Sequence, residues 1–195
     1  FERWDMIGVS EVIPEMKAAG FPPADWVETM LARGISTFYQ YQNGLKTAVY
    51  NPAHGAYEPL ARPAGLLVFD ELRTAGKLIE RNLGASLFDL GDGVAGIELH
   101  TKMNALDADI FNMINTGLDR VAQDFEGLVI STDADNFCAG ANLFVVALAA
   151  QNQQWDTLEA MVKGMQDTNL RIRYFPKPVV IAAAGMALGG GAEVL

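Results

Sequence analysis

The sequence predicts an α/β protein with a small helical segment in front. Three observations carry that reading. From residue 85 onward, short apolar runs alternate with longer stretches of helical periodicity. Residues 1–45 are rich in aromatic side chains and hold two patterns of helix start and glycine stop. Half of the 195 residues are hydrophobic and 19% are charged, a balance that supports a packed core.

In the first segment Ser10 is the expected N-cap of a helix over residues 11–19, closed by Gly20. Pro22, Pro23, Ala24 and Asp25 open a second helix that runs to Arg33 and stops at Gly34. Trp4, Ile7, Val12, Met16, Trp26, Met30, Phe38 and Tyr39 supply the apolar surface, and a helical packing unit without catalytic duty is expected. Residues 46–84 are punctuated by Pro52, Gly55, Pro59, Pro63 and Gly65, the composition of a linker with short extended pieces. Residues 66–83 are expected to be helical despite Gly76, and His54 and Tyr57 to be ordinary loop residues.

Residues 86–90 and 94–99 read as a hairpin turned by Gly91, Asp92 and Gly93. A helix over 106–123 follows, with Ile110, Ile114, Leu118 and Val121 on one face. Residues 127–132 and 179–184 are apolar runs of the kind that form strands buried on both faces. Between them, 143–151 and 155–174 read as helices, and the triple glycine 189–191 leads into a last one.

Composition narrows the function. A formal charge of −10 argues against nucleic acid as the main ligand and requires any anionic ligand to be held by local features. His54 and His100 are the only histidines and Cys138 the only cysteine, so neither a zinc cluster nor an internal disulfide is expected, and a cytoplasmic location is. No apolar run is long enough for membrane insertion, and no basic-then-apolar leader opens the chain. A first residue of Phe rather than Met suggests a piece of a longer protein.

Two segments carry chemistry. One is Asn136-Phe137-Cys138-Ala139-Gly140-Ala141-Asn142-Leu143; the other runs from Pro176-Lys177-Pro178 to Glu193. Each is a strand running into a turn of small residues and then a helix, where the backbone can approach a ligand and helix-start N–H groups lie free. Two such turns facing each other would aim two donors at one oxygen, an oxyanion hole for charge developing on a thioester carbonyl. Taken alone, the triple glycine fits a tight turn with close helix packing equally well. It does not fit the dinucleotide fingerprint, because the glycines are contiguous and no acidic residue stands about 20 positions on.

Residues 86–195 resemble the N-terminal part of the crotonase (enoyl-CoA hydratase/isomerase) superfamily. The markers are Asp92-Gly93-Val94-Ala95, Met103-Asn104-Ala105-Leu106-Asp107, the Phe137-to-Leu143 turn, and Pro176-Lys177-Pro178 through Glu193, in the family's order. The resemblance implies a spiral of ββα units, truncated here, and acyl-CoA thioester as the substrate. It places the oxyanion-hole amides at Ala141 and Gly190, substrate contacts at Ala141, Asn142, Leu143 and Gly190, and the first of two catalytic glutamates at Glu193, with no metal and no cofactor for hydration. The second glutamate would fall beyond Leu195, so this chain alone is expected to be inactive. Asn142 stands where aspartate is common.

Residues 1–45 resemble the C-terminal end of the 3-hydroxyacyl-CoA dehydrogenase helical domain, through Phe1-Glu2-Arg3-Trp4-Asp5, Met16-Lys17-Ala18-Ala19-Gly20-Phe21 and Trp26-Val27-Glu28-Thr29-Met30-Leu31. The implied organisation is a dehydrogenase end at 1–45, a linker at 46–84 and the start of a hydratase domain at 85–195, within a bifunctional fatty-acid β-oxidation enzyme. NAD would serve the dehydrogenase part upstream. A partial domain exposes apolar surface, so a homo-oligomer is expected. Within the superfamily an isomerase, hydrolase or dehalogenase remains open, as does a non-catalytic oligomerisation module.

Overall fold

The computed structural model describes residues 1–42, 45–61 and 65–195, so Pro63 lies outside the described residues. The chain forms two compact units, Phe1–Leu66 and Leu67–Leu195.

The first unit begins with α1 (Glu2–Ile7), α2 (Val9–Ala18) and α3 (Asp25–Ala32). Gly20 and Gly34 follow the ends of α2 and α3 in the left-handed region, at φ +83° and +77°. Ser10 is not the N-cap of α2. It lies within the first turn, and Gly8, at φ +107°, occupies the cap. Residues 46–59 are not a linker. They supply two strands of an antiparallel sheet in the order β1 (Tyr39–Gln42), β2 (Leu45–Asn51), β3 (Ala56–Pro59). The alternation that buries Ala48 and Tyr50 makes β2, and Pro52 and Gly55 mark its hairpin turn rather than a linker. Tyr57 sits in β3 with its hydroxyl 2.7 Å from the Thr37 carbonyl oxygen, whereas His54 is in the turn. Val9, Ile13, Val27, Met30, Phe38 and Tyr50 form the core, with Trp4, Met16, Trp26 and Tyr39 packed on it. Ile7, expected on the apolar surface, is 66% exposed. The Asp5 carboxylate accepts the backbone N–H groups of Phe38 and Tyr39 at 2.7 and 2.9 Å, tying β1 to α1.

The second unit contains α4 (Phe69–Thr74), β4 (Leu78–Arg81), β5 (Ala85–Gly91), β6 (Val94–Leu99), a 3₁₀ turn (Lys102–Asn104), α5 (Ala108–Asp124), β7 (Gly127–Ser131), α6 (Leu143–Gln151), α7 (Trp155–Arg173), β8 (Val179–Ile181) and α8 (Gly190–Val194). The single helix expected over 66–83 is two elements. Gly76 turns left-handed at φ +73° and ends α4, and the next residues pair antiparallel with β5. The five strands are ordered β4-β5-β6-β7-β8, antiparallel across the first three and parallel across the last three. Asp92 and Gly93, at φ +51° and +76°, supply the tight turn between β5 and β6.

The parallel strands need long crossovers, which α5 provides from β6 to β7 and α6 with α7 from β7 to β8. The Asp107 carboxylate caps α5 by accepting the Ile110 N–H at 3.0 Å. Helix α5 buries Ile110, Met113, Ile114, Leu118 and Val121 in the same core as Leu87, Ile97, Leu128 and Ile130 of the sheet. Each such side chain contributes roughly 2 kcal/mol by leaving water. Gly117 permits the close approach, since a Cβ there would lie 2.7 Å from Ile97 Cδ1. At the other end the Lys177 ammonium donates to the carbonyls of Val121 at 2.9 Å and Phe125 at 2.5 Å, satisfying groups the last turn leaves open. On the other face of the hairpin, buried Glu98 pairs with Arg73 at 2.6 Å, and burial holds its carboxyl above the ordinary carboxylate range. Strand β8 is shorter than the expected 179–184, because Ala184 leaves β7 and instead accepts the Phe137 N–H at 2.8 Å. Among the described residues no helix is long and apolar enough to cross a membrane.

Candidate active site

Parallel strands β7 and β8 deliver the two small-residue segments to the same end of the sheet. They meet there. Cys138 and Ala187 form a parallel bridge, with the Cys138 N–H donating to Met186 O and the Leu188 N–H to Cys138 O, both at 3.0 Å. The turns are packed so closely that a Cβ on Gly140 would fall 2.8 Å from Leu188 O and 3.6 Å from Gly190 N. A Cβ on Gly191 would fall 2.7 Å from that of Cys138. Glycine at these positions is a requirement of contact, and Gly140 also adopts φ +95°.

The segment before α5 runs along the other side of the first turn. Leu106 N–H donates to Gly140 O at 2.8 Å, Asn142 N–H to Leu106 O at 3.3 Å, and Ala139 N–H to Met103 O at 3.1 Å. These bonds bracket Ala141 without using its own N–H. Among the described residues neither the Ala141 N–H nor the Gly190 N–H has a protein acceptor. Gly190 is the first residue of α8, where a backbone donor has no intrahelical partner. Gly190 N stands 3.6 Å from where a Cβ on Gly140, the residue before Ala141, would lie, so the two unengaged donors are on neighbouring turns, and backbone donors of this kind can receive an oxygen that carries charge.

The remaining residues singled out in the sequence lie around this point. Asn142 is the N-cap of α6, its side-chain oxygen accepting the Val145 N–H at 3.4 Å, so amide replaces carboxylate in a capping role that either performs. Leu143 and Phe144 are each 76% exposed and Leu188 is 50% exposed, leaving an apolar rim beside the turns. Glu193 lies in α8, one turn beyond Gly190, with an exposed side chain that makes no hydrogen bond or ion pair among the described residues. The Cys138 thiol is buried and pushed up from its ordinary value by that burial, which makes it a packing group rather than a nucleophile. No group of three or more His, Cys, Asp or Glu side chains that could hold a metal occurs among the described residues.

Two features escaped the sequence. Met103 and Asn104 both adopt left-handed backbone, at φ +56° and +50°, and Asn104 is 2% exposed. Asn136 reaches across to the second turn through its side chain. The asparagines stand in the quoted motifs, but only the long-range pairing discloses what they touch.

The chain is similar to several proteins of known description. A "Probable 3-hydroxyacyl-CoA dehydrogenase" of Bacillus subtilis is 37% identical over 193 residues, 99% of this chain and 24% of that protein. A Rickettsia felis protein, whose description names it provisionally a fatty acid oxidation complex trifunctional enzyme, is 33% identical over 95 residues, 49% of this chain and 13% of that protein. The chain thus spans a quarter or less of the length of these relatives. The crystal structure of an enoyl-CoA hydratase from Polaromonas sp. JS666 matches in fold at TM-score 0.53 and 24% identity, over 56% of this chain and 44% of that one. Residues 93–195, just over half of the chain, match the family model of enoyl-CoA hydratase/isomerase, a span that takes in both small-residue turns and strands β6 to β8. The chain belongs to the enoyl-CoA hydratase/isomerase, or crotonase, family.

Proposed function

We propose that this chain is part of a fatty-acid β-oxidation enzyme in which residues 85–195 begin a domain that hydrates 2-enoyl-CoA to 3-hydroxyacyl-CoA. The observation that carries the reading is the pair of unengaged amides, Ala141 and Gly190, on turns held against each other with Glu193 one helical turn away. Addition of water across the double bond builds negative charge on the thioester oxygen. The two N–H groups would hold that oxygen, and their fixed orientation requires no reorganisation as charge develops. Glu193, together with a second carboxylate outside this chain, would position the water and move its protons. Asn142 and Leu143 would flank the acyl thioester.

The alignment with the Bacillus subtilis relative runs through both units. That supports residues 1–45 as the end of a 3-hydroxyacyl-CoA dehydrogenase domain, for which the hydratase product is the substrate. NAD would serve that upstream part, and no residue of this chain is assigned to it.

The test is Glu193→Gln in the full-length protein. Crotonyl-CoA hydration should fall by about 100-fold or more, the usual worth of a positioned acid or base. Oxidation of 3-hydroxyacyl-CoA with NAD should be nearly unchanged. Unchanged hydration would remove Glu193 from the site. Interconversion of 3-enoyl- and 2-enoyl-CoA without hydration would point to an isomerase.

A further inference from the structure

We infer that Asn136 is a positioning residue of the proposed oxyanion hole, holding the Gly190-bearing turn in register with the Ala141-bearing turn. The inference rests on the roles proposed above for those two amides. Asn136 belongs to the first turn, yet its side-chain oxygen accepts the Met186 N–H of the second at 2.9 Å. Its own carbonyl is held in turn by the Asn104 side chain, which donates to Asn136 O at 3.1 Å and to Thr132 Oγ1 at 3.0 Å. The Thr132 hydroxyl donates to Leu99 O, at the end of β6, at 3.0 Å. A continuous path of hydrogen bonds therefore leads from the sheet through Thr132, Asn104 and Asn136 to Met186, four positions before Gly190.

Local conformation shows that this path is specified. Left-handed backbone at a non-glycine residue costs on the order of 1 kcal/mol, and asparagine is among the few that tolerate it. Here it lets the buried Asn104 amide face Asn136 while Met103 O accepts the Ala139 N–H. Opposite, Gly185 at φ +64° comes so close that a Cβ would stand 2.1 Å from Asp135 O and 2.7 Å from Asn136 Oδ1. The second turn is shaped to receive the Asn136 side chain, and no larger residue fits at its closest point.

Stabilising a charge that exists only in the transition state depends on donor placement within a fraction of an ångström, whereas the bulk of CoA binding does not. Losing the tie should therefore lower kcat and spare KM. In the full-length protein, Asn136→Ala should reduce kcat for crotonyl-CoA hydration by roughly 10- to 100-fold with KM within about twofold. Asn136→Asp keeps an oxygen for the Met186 N–H and should stay within about threefold of the parent. The enolate form of acetoacetyl-CoA, followed by its near-ultraviolet absorbance, should bind more weakly to Asn136→Ala by a factor matching the loss in kcat. Gly190→Pro, assayed alongside, separates this inference from the reading beneath it. Full activity of a folded Gly190→Pro variant would remove the oxyanion hole itself, and the inference with it. Loss of activity in Gly190→Pro with parental kcat in Asn136→Ala would overturn the positioning role alone. So would equal losses in Asn136→Ala and Asn136→Asp, or a change confined to KM. If circular dichroism shows Asn136→Ala unfolded, Asn136→Ser, too short to reach the Met186 N–H, takes its place in the same comparison.

Discussion

The two small-residue turns are alike in composition but differ in support. The turn bearing Ala141 is braced from two sides, by Met103 and Leu106 ahead of α5 and by Met186 and Leu188 of the opposing turn. Phe137, Cys138 and Gly140 in it are buried. The turn bearing Gly190 is mostly exposed from Ala182 to Gly189, and its hydrogen bonds to other elements run to β7 and the first turn. The first turn is thus hydrogen-bonded on two sides, whereas the second is hydrogen-bonded on one side and otherwise held by the packing of α8, through Gly191 and Val194. The proposed oxyanion hole can therefore be damaged through either turn, but more easily through the second.

The sharpest way to break that asymmetry is Gly185→Ala. The added methyl would strain a left-handed residue and collide with Asp135 O, a backbone atom that cannot swing aside. The second turn should loosen by about 2 kcal/mol, read as a roughly 30-fold rise in amide exchange at Met186 and Leu188. Leu106 and Ala139, which brace the first turn from the other side, should keep their protection. Equal loss of protection in both turns would show that the first depends on the second as well.

A smaller effect is expected from Asn142→Asp on the well-braced turn. Both side chains accept the Val145 N–H at the start of α6, so stability should change by no more than about 0.5 kcal/mol and hydration should persist. A large loss of activity with α6 intact would assign the Asn142 amide a direct part in substrate contact.

How much of this could be read from the residues alone follows the same division between local and long-range. Helices α6 and α7 and strand β7 announce themselves by periodicity and apolar runs, and the two turns by their small residues. Residues 46–59 mislead because prolines and glycines that end hairpin strands look like those of a linker, and only pairing of β2 with β1 and β3 distinguishes the two. Residues 78–81 mislead because a short segment forms a strand only when a partner such as β5 is available. Asn104 and Asn136 are visible as letters, but their roles depend on contacts 28 to 50 positions away in sequence, which no local pattern encodes.

The most direct test is the removal of each amide itself in the full-length protein, with folding confirmed by circular dichroism. Gly190 is the first helical residue of α8 and the Ala141 N–H serves no protein acceptor among the described residues, so both proline variants remove a donor without removing a structural hydrogen bond, although a side chain at Gly190 also presses on Leu106 and Met165 at 3.1 Å. Loss of one such donor costs about 3 kcal/mol of transition-state stabilisation, so kcat/KM for crotonyl-CoA should fall by roughly 100-fold in Gly190→Pro and in Ala141→Pro. Ala141→Gly, which keeps the N–H, should be much milder. Near-parental kcat/KM in both folded proline variants would contradict the account, because these amides could not then be holding the thioester oxygen.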